Sequence, residues 1–176
     1  QANHVYKEAT KSVKDKASNT TISAQTVTGV VTKVTDGDTI TIKDTKTNKS
    51  YNIRLYGIDT PETEKGEGQG EIYGANAKKA LTDLVSGKKV TAQIGGKTYG
   101  RDVGLVKLTD GTNVSLTMLR NGFGFVAEGF TSAGEYAYAQ EEAKKNQKGL
   151  WSYPDGVVTK PRFENIAYIG NKSPTD

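Results

Sequence analysis

Residues 26–62 read TVTGVVTKVTDGDTITIKDTKTNKSYNIRLYGIDTPE, and the fold turns on how this stretch divides. Val27–Val34 is rich in β-branched residues and runs into Asp36-Gly37, a dipeptide that strongly signals a tight hairpin. Thr39–Lys43 follows with Ile40 and Ile42 on one face, the two-residue period of a half-buried strand. Asp44–Lys49 is a polar turn, and Tyr51–Ile58 reads as a third strand in which Ile53 and Leu55 alternate. Two successive hairpins make a three-stranded meander.

Working outward, Thr60–Gly70 is a polar loop with glycines at 66, 68 and 70. Tyr73, Ala77, Ala80, Leu81, Leu84 and Val85 then fall at helical spacing, and Gly87 ends that helix. Lys89–Ile94 and Val103–Leu108 are two more strands, and Ser115–Arg120 is a short helix before Asn121-Gly122. Phe123–Val126 is a short extended piece. A last helix over 134–147 carries Tyr136, Ala139, Gln140 and Ala143 on one stripe, closed by Gly149. The order β-β-β-α-β-β-α-α predicts an α+β protein: an OB-fold, a five-stranded Greek-key β-barrel with three helices. Residues 1–25 hold few apolar anchors and read as a flexible N-terminal arm. Residues 26–153 form the domain, and 154–176, with prolines at 154, 161 and 174, read as a C-terminal tail.

The 176 residues contain no cysteine and one histidine, His4, in the polar N-terminal stretch. That excludes disulfide scaffolds, thiolate metal sites and cysteine nucleophiles, and leaves no set of histidines for catalysis. A metal here would be held by oxygen, which points to a hard cation such as Ca²⁺ or Mg²⁺. The formal charge of +4 permits an anionic partner without demanding one, so polyanion binding must come from locally placed arginines. No apolar run approaches the ~20 residues of a membrane helix, and nothing in the sequence suggests more than a monomer.

Few residues can do chemistry. Asp36-Gly37-Asp38-Thr39 is first of all a hairpin turn, but Asp38 shares parity with Ile40 and Ile42 and so ends a core-facing row. A buried carboxylate there needs a partner or a metal. Asp59-Thr60-Pro61-Glu62 is a loop start, with Pro61 biasing Thr60 to an extended conformation, and its two acids leave the strand that pairs with the strand after Asp38. Asp38, Asp59, a backbone carbonyl and waters would suit Ca²⁺. Arg54 lies within the third strand, where surface arginines are common, and Tyr99-Gly100-Arg101 before the fifth strand also reads as a turn whose glycine allows positive φ. Two arginines beside these acids form the set that phosphodiester hydrolysis needs, since charge builds on the phosphoryl oxygens while water attacks. Parity poses one difficulty: Arg54 points opposite to Ile53 and Leu55, so it meets Asp38 only if coiling or a bulge brings them together.

Asp36-Gly37-Asp38-Thr39, Arg54, Ile58-Asp59-Thr60-Pro61-Glu62-Thr63, Tyr73-Gly74, Tyr99-Gly100-Arg101, Leu119-Arg120-Asn121-Gly122 and Gly149-Leu150-Trp151 occur in that order. Over about residues 27–151 the chain thus resembles the staphylococcal nuclease (thermonuclease) family. The resemblance implies a secreted or cell-envelope-associated, Ca²⁺-dependent endonuclease of low sequence specificity. It would act on DNA and RNA, preferably single-stranded, and leave 3′-phosphate and 5′-hydroxyl ends. It further implies that Asp38, Asp59 and the Thr60 carbonyl bind Ca²⁺ with Asp36 behind them. Arg54 and Arg101 would stabilise the transition state, and Glu62 would activate or orient water.

The chain departs from the family pattern in places. Gly95-Gly96-Lys97-Thr98 stands where some members are more charged, so Lys97 only loosely replaces a basic phosphate contact. Glu128-Gly129-Phe130 replaces a tyrosine-bearing segment that helps to sandwich the base, and Tyr99 remains as a stacking ring. Two other readings stay open. One is an OB-fold nucleic-acid-binding module without catalysis, against which Asp38, Arg54, Asp59, Glu62 and Arg101 stand together. The other is an extracytoplasmic Ca²⁺-binding or adhesive domain, which has no use for the two arginines.

Overall fold

Alternation of inward and outward side chains along five strands drives the chain to close on itself. The computed structural model describes residues 25–63, 73–98, 101–127 and 134–154. The N-terminal arm up to residue 24, most of the glycine-rich loop, Tyr99, the 128–130 segment and the tail beyond Pro154 lie outside them. The strands are β1 (Gln25–Asp36), β2 (Thr39–Asp44), β3 (Ser50–Leu55), β4 (Ile58–Asp59), β5 (Lys89–Thr98), β6 (Arg101–Leu108) and β7 (Phe125–Val126). The helices among the described residues are α1 (Gly74–Val85), α2 (Val114–Arg120) and α3 (Gly134–Lys145), followed by a 3₁₀ turn, Gly149–Ser152.

The expected five-stranded barrel is present, closed in the order β1-β2-β3-β6-β5. β5 returns to pair antiparallel with β1, and β6 runs parallel to β3, so the barrel has a Greek-key path. Val27, Val31, Ile40, Ile42, Ile53, Leu55, Val90, Ala92 and Leu105 point inward and are buried. α1 lays Ala77, Leu81 and Val85 against this core, and its C-terminus turns at Gly87, whose φ of 72° is the left-handed geometry expected of a helix stop. α2 is capped by Asn113, whose side-chain oxygen accepts from the Leu116 N–H at 3.1 Å. No helix among the described residues is long and apolar enough to cross a membrane.

The structure corrects the third strand. β3 stops at Leu55 instead of running to Ile58, because the chain turns at Tyr56-Gly57 with Gly57 at φ 83°. A side chain at Gly57 would also collide with the buried Tyr136 ring, since its Cβ would lie 2.6 Å from Cε2. Beyond the turn, β4 leaves the barrel and pairs antiparallel with β7. α3 supports that outer pair: the Gln140 side-chain carbonyl accepts from the Val126 N–H at 2.8 Å.

Leu81 is fully buried where α1 meets the barrel. Leu81→Ala is expected to destabilise the fold by about 2–5 kcal/mol through lost burial and a residual cavity. Urea denaturation would show this as a lower midpoint at an unchanged slope.

Candidate active site

The β1–β2 hairpin is where the polar residues gather. Asp36 and Thr39 are cross-strand partners, so Gly37 and Asp38 are the two loop residues, and the β1–β2 register shifts between Val34 and Asp36. The Asp38 carbonyl accepts from the Leu55 N–H at 2.8 Å, fixing the turn to the end of β3. Its carboxylate accepts from the Thr60 N–H at 3.0 Å and from the Thr39 hydroxyl at 3.1 Å. Asp36 Oδ1 accepts from the Asp38 N–H at 3.3 Å. Asp36, Asp38 and Asp59 are exposed by only 2%, 2% and 3%.

Gly37 makes this packing feasible. A Cβ there would lie 2.6 Å from Thr60 Oγ1 and 2.7 Å from Ala77 Cβ, so the bare turn lets α1 and the chain after β4 close over it. At the other end of that chain, the Glu62 carbonyl lies against Gly74 at the start of α1.

One guanidinium answers the buried acids. Arg54 Nη2 lies 2.8 Å from Asp59 Oδ1 and 3.3 Å from Asp38 Oδ2, and donates to the Ile58 carbonyl at 3.2 Å. The parity difficulty dissolves because Asp38 sits in the turn rather than on the β2 row. Arg54 pairs across the sheet with Thr39, the next residue, which puts its guanidinium beside the turn. Asp59 arrives from the opposite side because the chain reverses at Gly57.

Protonation follows from this crowding. Burial alone would raise the Asp38 carboxyl, but Arg54, then the Asp36 carboxyl, the Thr60 N–H and the Thr39 hydroxyl hold it below the ordinary carboxylate range. For Asp36 the balance goes the other way. Burial first, and the Asp38 charge second, push it up to about 7. For Arg54, burial is outweighed by Asp38 and Asp59, so its guanidinium stays firmly charged. Glu62 is close enough to act electrostatically on both Asp36 and Arg54.

Arg101, the first residue of β6, enters from a third strand. The parallel pairing of Ile53 with Asp102 and Arg54 with Val103 sets its place beside β3. Its Nη1 donates to Thr39 Oγ1 at 3.0 Å. The structure therefore gathers Asp36, Asp38, Arg54, Asp59, Thr60, Glu62 and Arg101 at one end of the barrel. Lys97 pairs by its backbone with Asp102 in the β5–β6 hairpin. Tyr99 and the Lys97 side chain lie outside the described residues. Thr39 was not singled out as a site residue from the sequence, and its only signal there is a hydroxyl directly after the Asp-Gly-Asp turn.

The donor set is entirely oxygen. Among the described residues no three His, Cys, Asp or Glu side chains converge as a ready-made metal cage. Two buried carboxylates, Asp38 and Asp59, nonetheless come together at one guanidinium nitrogen. Thr60 Oγ1 is also buried without a hydrogen-bond partner among the described residues. Such a set fits a hard cation completed by backbone carbonyls and water better than any soft metal.

Comparison with known proteins shows what the chain as a whole is similar to. A family profile described as "Staphylococcal nuclease homologue" matches residues 52–153. A protein of Escherichia coli O157:H7 described as an uncharacterized endonuclease is 37% identical over 130 residues, covering 73% of this chain and 80% of that protein. Endonuclease YhcR of Bacillus subtilis (strain 168) is 31% identical over 168 residues, covering 82% of this chain but 14% of its own length. A probable staphylococcal-like nuclease, CAN1, of Oryza sativa subsp. japonica is 35% identical over 105 residues, covering 59% of this chain and 30% of its own length.

The tight turn generates a prediction of its own. Gly37→Ala must displace Thr60 or α1 and is expected to destabilise the fold by roughly 1–3 kcal/mol, the range for overpacking. Chemical denaturation measures it, and a change under about 0.5 kcal/mol, the range of an ordinary surface substitution, would show that the turn yields freely.

Proposed function

The chain belongs to the staphylococcal nuclease homologue family, and on that premise we propose that it hydrolyses phosphodiester bonds of DNA and RNA with Ca²⁺ as cofactor. The observation that carries the reading is the convergence of Arg54 and Arg101 on the place where the buried acids Asp38, in the turn, and Asp59, on β4, come together. A binding module needs positive charge toward a phosphate but has no use for buried acids among those arginines.

In this reading Asp38, Asp59 and the Thr60 carbonyl hold the ion, with Asp36 supporting Asp38. Bound Ca²⁺ would supply charge neutralisation at the phosphoryl group and a favourable environment for the attacking water. The remaining work belongs to the chain. Arg54 and Arg101 donate to the phosphoryl oxygens, where negative charge grows as the water oxygen bonds to phosphorus. Glu62 accepts a hydrogen bond from that water and orients it, a role that does not require an unusually strong base. The P–O5′ bond breaks as the water oxygen bonds to phosphorus, and the phosphate stays on the 3′ oxygen. The proton that the water gives up to solvent is balanced by one that solvent returns to the 5′ oxygen, which leaves as a hydroxyl. Tyr99 and Lys97 would contact the substrate, with single strands preferred because their bases are free to stack. The protein acts as a monomer, secreted or held at the cell envelope.

Digestion of single-stranded DNA and RNA with Ca²⁺, and then with a chelator, tests the proposal directly. Cleavage is expected only with the ion, and end-group analysis should find 3′-phosphates. Persistent cleavage in chelator would overturn the cofactor assignment. Asp38→Ala and Asp59→Ala are expected to keep the circular dichroism of the parent and lose most Ca²⁺ affinity in calorimetric titration. Unchanged affinity in both would remove the metal site.

Arg101→Ala separates the nuclease from a silent binding module. Removing a transition-state donor is expected to lower kcat by on the order of 10²–10⁵ with a smaller change in KM. Lysine should restore only part, since it lacks the planar fork that grips two oxygens. A rise in KM at unchanged kcat would assign Arg101 to ground-state binding.

A further inference from the structure

Thr39 touches more of the site than its ordinary identity suggests. It is buried, with 1% of its surface exposed. Its backbone pairs with Arg54 across β2 and β3. Its hydroxyl donates to Asp38 Oδ1 at 3.1 Å and accepts from Arg101 Nη1 at 3.0 Å. Two residues of the site, Asp38 from the turn and Arg101 from β6, therefore meet at one hydroxyl, and a third, Arg54, pairs with the backbone of the same residue.

The direction of those two bonds is fixed by chemistry. A guanidinium can only donate, and an ionised carboxylate can only accept. A hydroxyl has one proton and lone pairs to spare, so it satisfies both at once. With the proton committed to Asp38, the oxygen lone pairs turn toward Arg101. An amide could also donate and accept, but its carbonyl and NH₂ diverge from one carbon and cannot present both functions from one atom.

We propose that Thr39 is a positioning residue that aims Arg101 at the phosphoryl group by tethering it to Asp38. The inference rests on the nuclease reading above. Arg54 is anchored by direct contact with carboxylates, which fixes it firmly but spends much of its charge on them. Arg101 is instead oriented by a neutral hydroxyl, which does not cancel its charge. Its guanidinium thus arrives in a defined place with more of its field directed at a substrate anion. Because the other end of the tether is Asp38, any shift of that carboxylate moves the arginine with it, coupling the ion site to the phosphoryl site.

The test uses Thr39→Val, which keeps the branched shape and removes the hydroxyl, and Thr39→Ser, which keeps the hydroxyl. Kinetics are measured on a short single-stranded oligonucleotide at saturating Ca²⁺. Thr39→Val is expected to lower kcat about 10–100-fold, the scale for misplacing a catalytic group by an ångström or less, with KM within about threefold. Thr39→Ser should recover most of that loss. In an Arg101→Ala background, adding Thr39→Val should lower kcat by less than about threefold, because the residue it positions is already gone. Full kcat in Thr39→Val, an equal loss in Thr39→Ser, or losses that multiply in the double variant would each overturn the tether. Nitrogen-15 NMR of the Arg101 guanidinium without Ca²⁺ gives a readout independent of cleavage. A sharp signal in the parent that broadens in Thr39→Val supports the tether, and no change opposes it. If the parent fails to cleave while this signal behaves as expected, the nuclease reading falls and the tether stands.

Discussion

Two carboxylates buried within reach of one guanidinium nitrogen are the constraint around which this molecule is arranged. Asp38 and Asp59 are both nearly inaccessible, and unpaired charges in such a place would be expelled or protonated. Arg54 holds both, and it does so with a third bond to the Ile58 carbonyl that fixes the plane of its fork. Burial, and after it the Asp38 charge, push the Asp36 carboxyl beside them up to about 7. A site built this way is unfavourable as an end in itself, since burying charge costs more than a hydrophobic core would.

Holding that arrangement demands support from elements that carry none of the chemistry. Asp59 stands on β4, a strand too short to be stable alone. β4 is kept in place by pairing with β7, and β7 is held by Gln140 of α3. The turn before β4 packs against Tyr136 of the same helix, whose hydroxyl accepts from Asn113 at 3.1 Å. The Tyr56 carbonyl in that turn accepts from the buried Ser115 hydroxyl of α2 at 2.7 Å. The two C-terminal helices therefore determine where an acid from much earlier in the chain comes to rest. Changes in α3 would be felt in the site through this chain of contacts without touching it.

The two arginines reach the same turn by different routes. Arg54 comes from the strand that pairs with β2, and Arg101 from the strand that runs parallel on its far side. Only closure of the barrel puts β6 beside β3, so Arg101 is a residue whose role depends on topology rather than on local sequence. Thr39, between them, is the point at which the hairpin, the meander and the closing strand share one small volume.

Much of this was legible in the chain. Period-two alternation around Ile40, Ile42, Ile53 and Leu55 marked the strands and their buried face, and the stripe of Tyr136, Ala139, Gln140 and Ala143 marked the last helix. The order of elements pointed to a five-stranded barrel, and the ordered motifs to the family. Parity, however, suggested that Arg54 and Asp38 face apart, and the third strand was read through Gly57 to Ile58. Periodicity describes a segment whose conformation continues, and it cannot see the residue at which one turns out of line. Asp38 left its strand row by sitting in the turn, and Asp59 reversed direction after a left-handed glycine pressed against a tyrosine from a distant helix. The sequence by itself determined which residues bear charge and which faces seek burial. The tertiary structure alone decided which charges meet, because that depends on strand closure and on contacts between segments far apart in the chain, where no local pattern reaches.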